Sequence, residues 1–261
     1  MTTTGLYSQT VPLKGALNFR DMGGLVTVDG RKVRRGILYR AGDLSGLTTD
    51  DIAQLSKQKI KYIFDYRRED EANEKPDPEI GSAKLLRVPV IAEDNIAEQV
   101  SKVKKKEDVF KHYTKETFLT LYSTFPVRNA SYQALMNLLK EPEKNLPLIH
   151  HCAGGRDRTG IGAMIILLTL GVPFSTVMED YLYSNVALAT FHEQMFLQAE
   201  AALVEEEVLQ LKAAFLLQEE YLLATKSAIE EIYGDFDTYL YLEFGITNEI
   251  RKKIKDFCLQ E

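Results

Sequence analysis

The stretch from Leu146 to Pro173, LPLIHHCAGGRDRTGIGAMIILLTLGVP, constrains the fold more than any other part of this chain. LPLIHH is short, apolar and preceded by a polar segment, the pattern of a strand buried on both faces of a sheet. TGIGAMIILLTLG is apolar on every side, which predicts a buried helix that stops at Gly171 with Pro173 just beyond. The glycine-rich turn between them therefore joins the C-terminal end of a strand to the start of a helix. In an open α/β sheet that edge is where ligands bind.

The rest of the chain fits the same architecture. KYIFDYR (61–67) and AKLLRVPV (83–90) read as further strands of a buried sheet. LTTDDIAQLSKQKI supplies a Thr cap and apolar residues Ile52, Leu55 and Ile60 at near-helical spacing. LVTVDGRKVRRGILYR alternates around Asp29-Gly30 and predicts a hairpin, because glycine supplies the positive φ of a tight turn. FLTLYSTF and ASYQALMNLLK read as helices packed on the sheet, and residues 190–233 as nearly unbroken helix in two or more pieces. Strands alternating with helices imply an α/β fold with a mostly parallel central sheet flanked by helices. No internal repeat divides the sequence, and the expectation is one domain over residues 1–261. The charged run from Glu93 to Lys115 reads as an insertion, and its lysines Lys102, Lys104, Lys105 and Lys106 as a solvated face.

Charge and cysteine usage narrow the function classes. A net charge of −6 and a pI near 5.4 argue against a nucleic-acid binder. No apolar run reaches the roughly 18 to 20 residues of a membrane span, so no integral membrane association is expected. The amino terminus lacks the basic start and apolar segment of a Sec signal. The two cysteines, Cys152 and Cys258, lie far apart without metal-ligand neighbours. These features point to the reducing cytoplasm, with export by a route that needs no Sec signal left open, and to chemistry without metal or cofactor.

The turn itself carries the chemistry. Gly154, Gly155 and Gly160 allow backbone N–H groups to face inward, and the helix start adds the positive end of its dipole, so a dianion is favoured there. Cys152 opens the turn and Arg158 follows at Cys-x5-Arg spacing. Around a bound phosphate this puts sulfur below phosphorus and a two-pronged guanidinium beside the peripheral oxygens. The same positive surroundings favour the thiolate, which is the nucleophilic form of cysteine. Attack on phosphorus would give a cysteinyl-phosphate that water then hydrolyses. The leaving oxygen needs a proton. Asp157 within the turn, Asp65 at the end of KYIFDYR, and Glu93 with Asp94 are the candidate donors.

HCAGGRDRTG resembles the signature of protein tyrosine phosphatases, and most closely the bacterial PtpB- and LipA-like tyrosine and phosphoinositide phosphatases with HCxAGKDRTG. NFRDMGG (18–24), LYRAGDLSGLT (38–48), FDYRREDE (64–71), FPVRNA (125–130), DYLYSN (180–185) and IEEIYGDFDTYL (229–240) resemble that family's recurrent segments in the same order. The resemblance implies a tyrosine phosphatase-like fold with helical lid segments, about 93–125 and 190–225. It implies Cys152 as nucleophile, Arg158 as phosphate ligand and Asp157 as the proposed acid. Ala153, Gly154, Gly155, Arg156, Thr159 and Gly160 complete the substrate-binding loop.

Arg156 stands where this branch has lysine, a cation linked in the family to phosphoinositide activity. Val90 stands where some members carry an aspartate after the third strand, which favours Asp157 as the acid. His151 is expected to hold the loop by hydrogen bonds. Asp65 and Arg67 divide between site support and a structural ion pair. The expected substrates are phosphotyrosine proteins or peptides. Phosphoinositides or other phosphomonoesters are the enzymatic alternative, and a non-catalytic phosphate-binding module is the third.

Overall fold

The computed structural model describes residues 12–91 and 113–261. Most of the charged insertion, with Glu93, Asp94 and its lysines, lies outside the described residues.

Five strands form the main sheet: β1 (Arg20–Asp21), β3 (Leu38–Ala41), β4 (Tyr62–Asp65), β5 (Lys84–Arg87) and β6 (Leu148–His151). Their spatial order is β1-β3-β6-β4-β5, and every pairing is parallel except β1 with β3. β6 sits at the centre with all four residues buried, the two histidines included. Side chains alternate across the sheet. Tyr39, Ile63 and Ile149 pack with Leu55 of α1 (Thr49–Lys57), whereas Leu38, Phe64 and Leu148 join the larger core on the opposite face. α1 begins as the sequence predicts, with the Thr48 hydroxyl accepting from the Asp51 N–H in a capping box. β5 departs from expectation: it is an edge strand, and Leu85 is exposed.

The expected hairpin forms around Asp29-Gly30. The turn at Asp29-Gly30 forms, with Gly30 at φ +88° and the Thr27 N–H bonded to the Arg31 carbonyl at 2.8 Å. The segments beside it pair: Val26 bridges Lys32 antiparallel, and the Gly24 and Val33 N–H groups donate to the Val33 and Leu25 carbonyls at 2.7 and 2.9 Å. β2 (Lys32–Val33) pairs antiparallel with β7 (Leu259–Gln260) at the far end of the sequence, while β3 enters the main sheet. Val33 and Leu38 are buried in the larger core.

The larger core is built by helices. α2 (Glu69–Glu74) precedes β5; α3 (Lys115–Thr124), α4 (Ala130–Leu139) and α5 (Pro142–Asn145) lead to β6. α6 (Asp157–Leu170) leaves the sheet, with Ile161 through Leu167 buried without interruption and Gly171 closing it at φ +88°. Each buried Ile or Leu there contributes about 1.5–3 kcal/mol. Then follow α7 (Phe174–Ala187), α8 (Ala189–Glu200), α9 (Glu205–Phe215), α10 (Glu219–Tyr233), α11 (Phe236–Phe244) and α12 (Asn248–Cys258). The long helical stretch of the sequence is thus α8, α9 and α10. No helix among the described residues is long and apolar enough to cross a membrane.

Candidate active site

Cys152 follows β6 directly and Asp157 opens α6, so the turn between them lies at the C-terminal edge of the sheet. Its carbonyls are pulled outward. The Asp43 N–H donates to the Ala153 carbonyl at 2.9 Å, and Asn18 Nδ2 donates to the carbonyls of Gly154 and Gly155 at 3.2 and 2.9 Å. Arg40 Nη2 is a second donor to the Gly155 carbonyl, at 3.0 Å. In a trans peptide the N–H points opposite to the C=O, so the N–H groups of Gly154, Gly155 and Arg156 turn toward the loop's interior. Asp180 of α7 fixes this scaffold by accepting from Arg20 Nε at 2.7 Å and Arg40 Nη1 at 2.5 Å. Burial opposes the Asp180 carboxylate, but the two guanidinium groups outweigh it and lower its pKa to about 2.

Two glycines serve different ends. Gly155 has φ +64°, and a Cβ there would lie 2.3 Å from the Ala41 backbone, so the turn can press on β3 only with glycine. Gly160 faces the Tyr181 ring, where a Cβ would lie 3.0 Å away; it serves helix packing and does not line the cavity.

Arg158 is held by Glu71 of α2. Nη1 and Nη2 each donate at 2.8 Å to a separate carboxylate oxygen, and the Tyr132 hydroxyl donates to the Arg158 carbonyl at 2.9 Å. Burial disfavours the Glu71 anion, yet the bonds and charge of Arg158 outweigh it and hold its carboxyl below the ordinary range. Arg158 is held protonated by the same pair.

Above the turn is a cavity of about 550 Å³. Cys152, Ala153, Gly154, Arg156, Asp157 and Arg158 of the turn line it, together with Phe118, Leu121 and Tyr122 of α3, Phe191, His192 and Met195 of α8, and Phe215 of α9. Among the described residues, the carboxylates on its wall are Asp43, Glu71 and Asp157. Tyr181 donates to the Tyr122 hydroxyl at 2.8 Å, and Tyr122 donates to Asp157 Oδ1 at 2.8 Å. Burial, reinforced by Asp157, pushes the Tyr122 pKa well up and keeps it an O–H donor. Arg156 Nε donates to Asp157 Oδ2 at 3.0 Å. Its Nη1 donates to the Phe215 carbonyl at 2.7 Å, and its guanidinium stacks 3.9 Å from the Phe215 ring centroid.

Several expected site residues stand elsewhere. Gly155 and Thr159 are buried behind the cavity wall. Asp65 is fully buried and bonded to Arg67 and Arg87, so it does not reach the cavity and is a structural ion pair. His151 does not hold the loop through its ring. The ring faces Asp77, with Nε2 3.2 Å from the carboxylate but without the alignment of a hydrogen bond. Asp65, Asp77 and His151 bring three potential metal-ligating atoms within 4.8 Å of one another, but Arg67 already bonds both carboxylates. His150 packs under the loop, accepting from or donating to the Tyr66 hydroxyl at 2.9 Å. Reading single residues missed Asn18, Arg40, Glu71, Tyr122, Asp180 and His192. Five of them lie in segments quoted above: Tyr122 in FLTLYSTF, and the others in NFRDMGG, LYRAGDLSGLT, FDYRREDE and DYLYSN, which converge on the turn.

A parallel sheet that sets a cysteine, a cradle of N–H groups and a paired arginine at one strand end defines a phosphate-ester site built on a thiol. The tyrosine phosphatase family matches residues 11–260, and the chain belongs to it. A Cupriavidus necator protein named as a tyrosine-protein phosphatase is 28% identical over 233 residues, spanning 85% of this chain and 80% of that one. The triple specificity protein phosphatase PtpB of Mycobacterium tuberculosis is 27% identical over 260 residues, spanning 87% and 91%. The crystal structure of P. aeruginosa TpbA in complex with pTyr aligns at 14% identity and a TM-score of 0.34, over 75% of this chain and 89% of that one.

Proposed function

We propose that this tyrosine phosphatase hydrolyses phosphotyrosine in two steps on the Cys152–Arg158 turn. The phosphate lies against the N–H groups of Gly154, Gly155 and Arg156, with the Arg158 fork on two of its oxygens. Cys152 Sγ attacks phosphorus; the P–O bond to tyrosine breaks as the S–P bond forms, and Asp157 gives its proton to the departing phenolic oxygen. Water then attacks the cysteinyl-phosphate, Asp157 takes a proton from it, and phosphate leaves with Cys152 restored as thiolate.

The observation that carries this reading is the outward anchoring of the Ala153, Gly154 and Gly155 carbonyls, which aims three successive N–H groups at one point beside Cys152. The family and the names of both relatives agree with it. Asp157 is favoured as the acid because it lines the cavity and meets Arg156 through one oxygen only, whereas Asp65 is enclosed by arginines and Glu71 gives both carboxylate oxygens to the Arg158 fork. Arg156 is anchored through Nε to Asp157 and through Nη1 to the Phe215 carbonyl, which favours a single aryl phosphate over an inositol carrying several phosphates. Residues 1–261 act as one phosphatase domain, with the lid segment of about residues 190–225 carried by α8, α9 and the start of α10. A nucleophile that must stay a free thiol suits a reducing cytoplasm.

Cys152→Ser tests the mechanism. Turnover of an aryl phosphate should vanish while phosphotyrosine peptide binding persists, and trapping with acid should recover phosphocysteine from wild type alone. Undiminished turnover in the variant would refute the reading.

A further inference from the structure

The last carbonyls of α9 find no partner within the helix and need donors from outside it. Gln218 Nε2 donates to the Ala213 carbonyl, and the Tyr221 hydroxyl to that of Ala214 at 2.6 Å. The Phe215 carbonyl takes its donor from the phosphate-binding turn, Arg156 Nη1 at 2.7 Å, 59 residues away in sequence. A cation is also the charge that a helix C-terminus favours. The Phe215 ring makes a second contact. The guanidinium lies 3.9 Å from its centroid and 5.6 Å from that of Phe118, whose plane stands at 76° to it. Arg156 is 4% exposed, so water competes little with either contact.

The backbone that carries Phe215 is fixed independently of Arg156. The Leu217 N–H donates to Asn185 Oδ1 of α7, and Asn185 Nδ2 donates to the Leu217 carbonyl, each at 2.9 Å. Position therefore passes from α9 to the arginine, and the arginine hands it on. Asp157 receives Tyr122 on Oδ1 at 2.8 Å and Arg156 Nε on Oδ2 at 3.0 Å. Two bonds on separate oxygens fix the carboxyl plane, whereas one leaves it free to turn in a broad torsional well. A proton donor must meet its acceptor within about 2.6–3.2 Å, so that plane decides whether the proton is delivered. Lysine has neither the fork nor the flat face needed to hold Phe215 and Asp157 together.

We propose that Phe215 is a positioning residue for proton transfer: its ring and carbonyl hold the Arg156 guanidinium, which holds the Asp157 carboxyl toward the departing oxygen. This rests on the phosphatase reading above, with Asp157 as acid, and adds to it a residue from a helix remote from the turn.

The test is the ratio of kcat/KM for phenyl phosphate, whose leaving oxygen needs an acid, to that for 2,4-dinitrophenyl phosphate, whose leaving group departs without one. Changes in phosphate binding cancel in the ratio. Asp157→Asn should lower it by about 100-fold. Phe215→Leu keeps an apolar side chain and the carbonyl but removes the flat face, and should lower it by about tenfold. Arg156→Lys should do the same with the aromatic packing intact. The double variant should fall no more than about twofold below either alone, because both changes cut one chain of contacts. Losses that multiply in the double variant, or both esters falling in parallel in Phe215→Leu, overturn the proposal. An unchanged ratio in Phe215→Leu or Arg156→Lys beside a lowered one in Asp157→Asn overturns it too, and leaves Asp157 standing as the acid. An unchanged ratio in Asp157→Asn removes that acid and this proposal together. If wild type hydrolyses neither ester, the phosphatase reading itself fails.

Discussion

Arg158 and Glu71 meet in a two-pronged ion pair, with each guanidinium nitrogen 2.8 Å from its own carboxylate oxygen. Glu71 also accepts from the Arg68 N–H at 3.0 Å, so one carboxylate caps α2 and aims the phosphate-binding arginine. Glu71→Gln keeps the shape but loses the charge and one acceptor oxygen. We expect kcat/KM for an aryl phosphate to fall about 10- to 100-fold, since misplacing a positioning group by about 1 Å costs that much. The Ki of inorganic phosphate should rise with it. Steady-state kinetics with phosphate as competitor checks both, and an unchanged Ki would mean that Arg158 holds its position without Glu71.

This pair also shows where sequence reading stops. The strand, glycine turn and apolar helix from Leu146 to Gly171 are legible because burial, glycine and proline act within a few residues. Cys152, Asp157 and Arg158 are legible for the same reason, and the structure brings all three to one cavity. Glu71 lies 87 residues from Arg158, and nothing near it in sequence states which cation it meets. Lys32–Val33 is legible as half of a local hairpin, yet nothing near it states that its other edge pairs with Leu259–Gln260. His151 adjoins Cys152 in sequence, but strand alternation turns its ring toward Asp77. What escapes is consistently a contact chosen by tertiary packing.

Gly155→Ala and Gly154→Ala should part company in stability. At Gly155 the new Cβ would strike the Ala41 carbonyl in a backbone with φ +64°, whereas at Gly154 its nearest neighbour lies 3.7 Å away. Strain and overpacking together predict a loss of about 2–5 kcal/mol for Gly155→Ala. Gly154→Ala should stay within about 0.5 kcal/mol. Urea midpoints at constant m-value give the comparison, and equal losses would contradict the close approach of the turn to β3.

Tyr122→Phe removes one of the two donors on Asp157 and strands the Tyr181 hydroxyl. The acid matters most when the leaving oxygen is strongly basic. Turnover of phenyl phosphate should therefore fall by about 3- to 10-fold, with a smaller change for 2,4-dinitrophenyl phosphate. A leaving-group series reads this as a steeper dependence on phenol pKa. A uniform loss across the series would place Tyr122 in the scaffold alone.

Acid should destabilise the protein in two stages. His192 is lowered to about 4 by burial and then Arg156, and His150, fully buried beside Arg40, lies well below its ordinary value near 6.5. Between pH 6.5 and about 4 the unfolded chain therefore binds protons that the folded one refuses, and stability falls as pH falls. Each histidine contributes at most about 1.4 kcal/mol per pH unit. The carboxylate of Asp180 has the opposite linkage to charge but the same direction in pH. Its folded pKa of about 2 stabilises the protein above pH 4, and that contribution drains away as pH falls toward 2. His192→Gln should then flatten the loss between pH 6.5 and 4 and leave the steeper loss below pH 4 in place. Urea midpoints across pH 3 to 7.5 measure both stages; a variant that parallels wild type through pH 5 would mean that His192 titrates alike in the folded and unfolded chain.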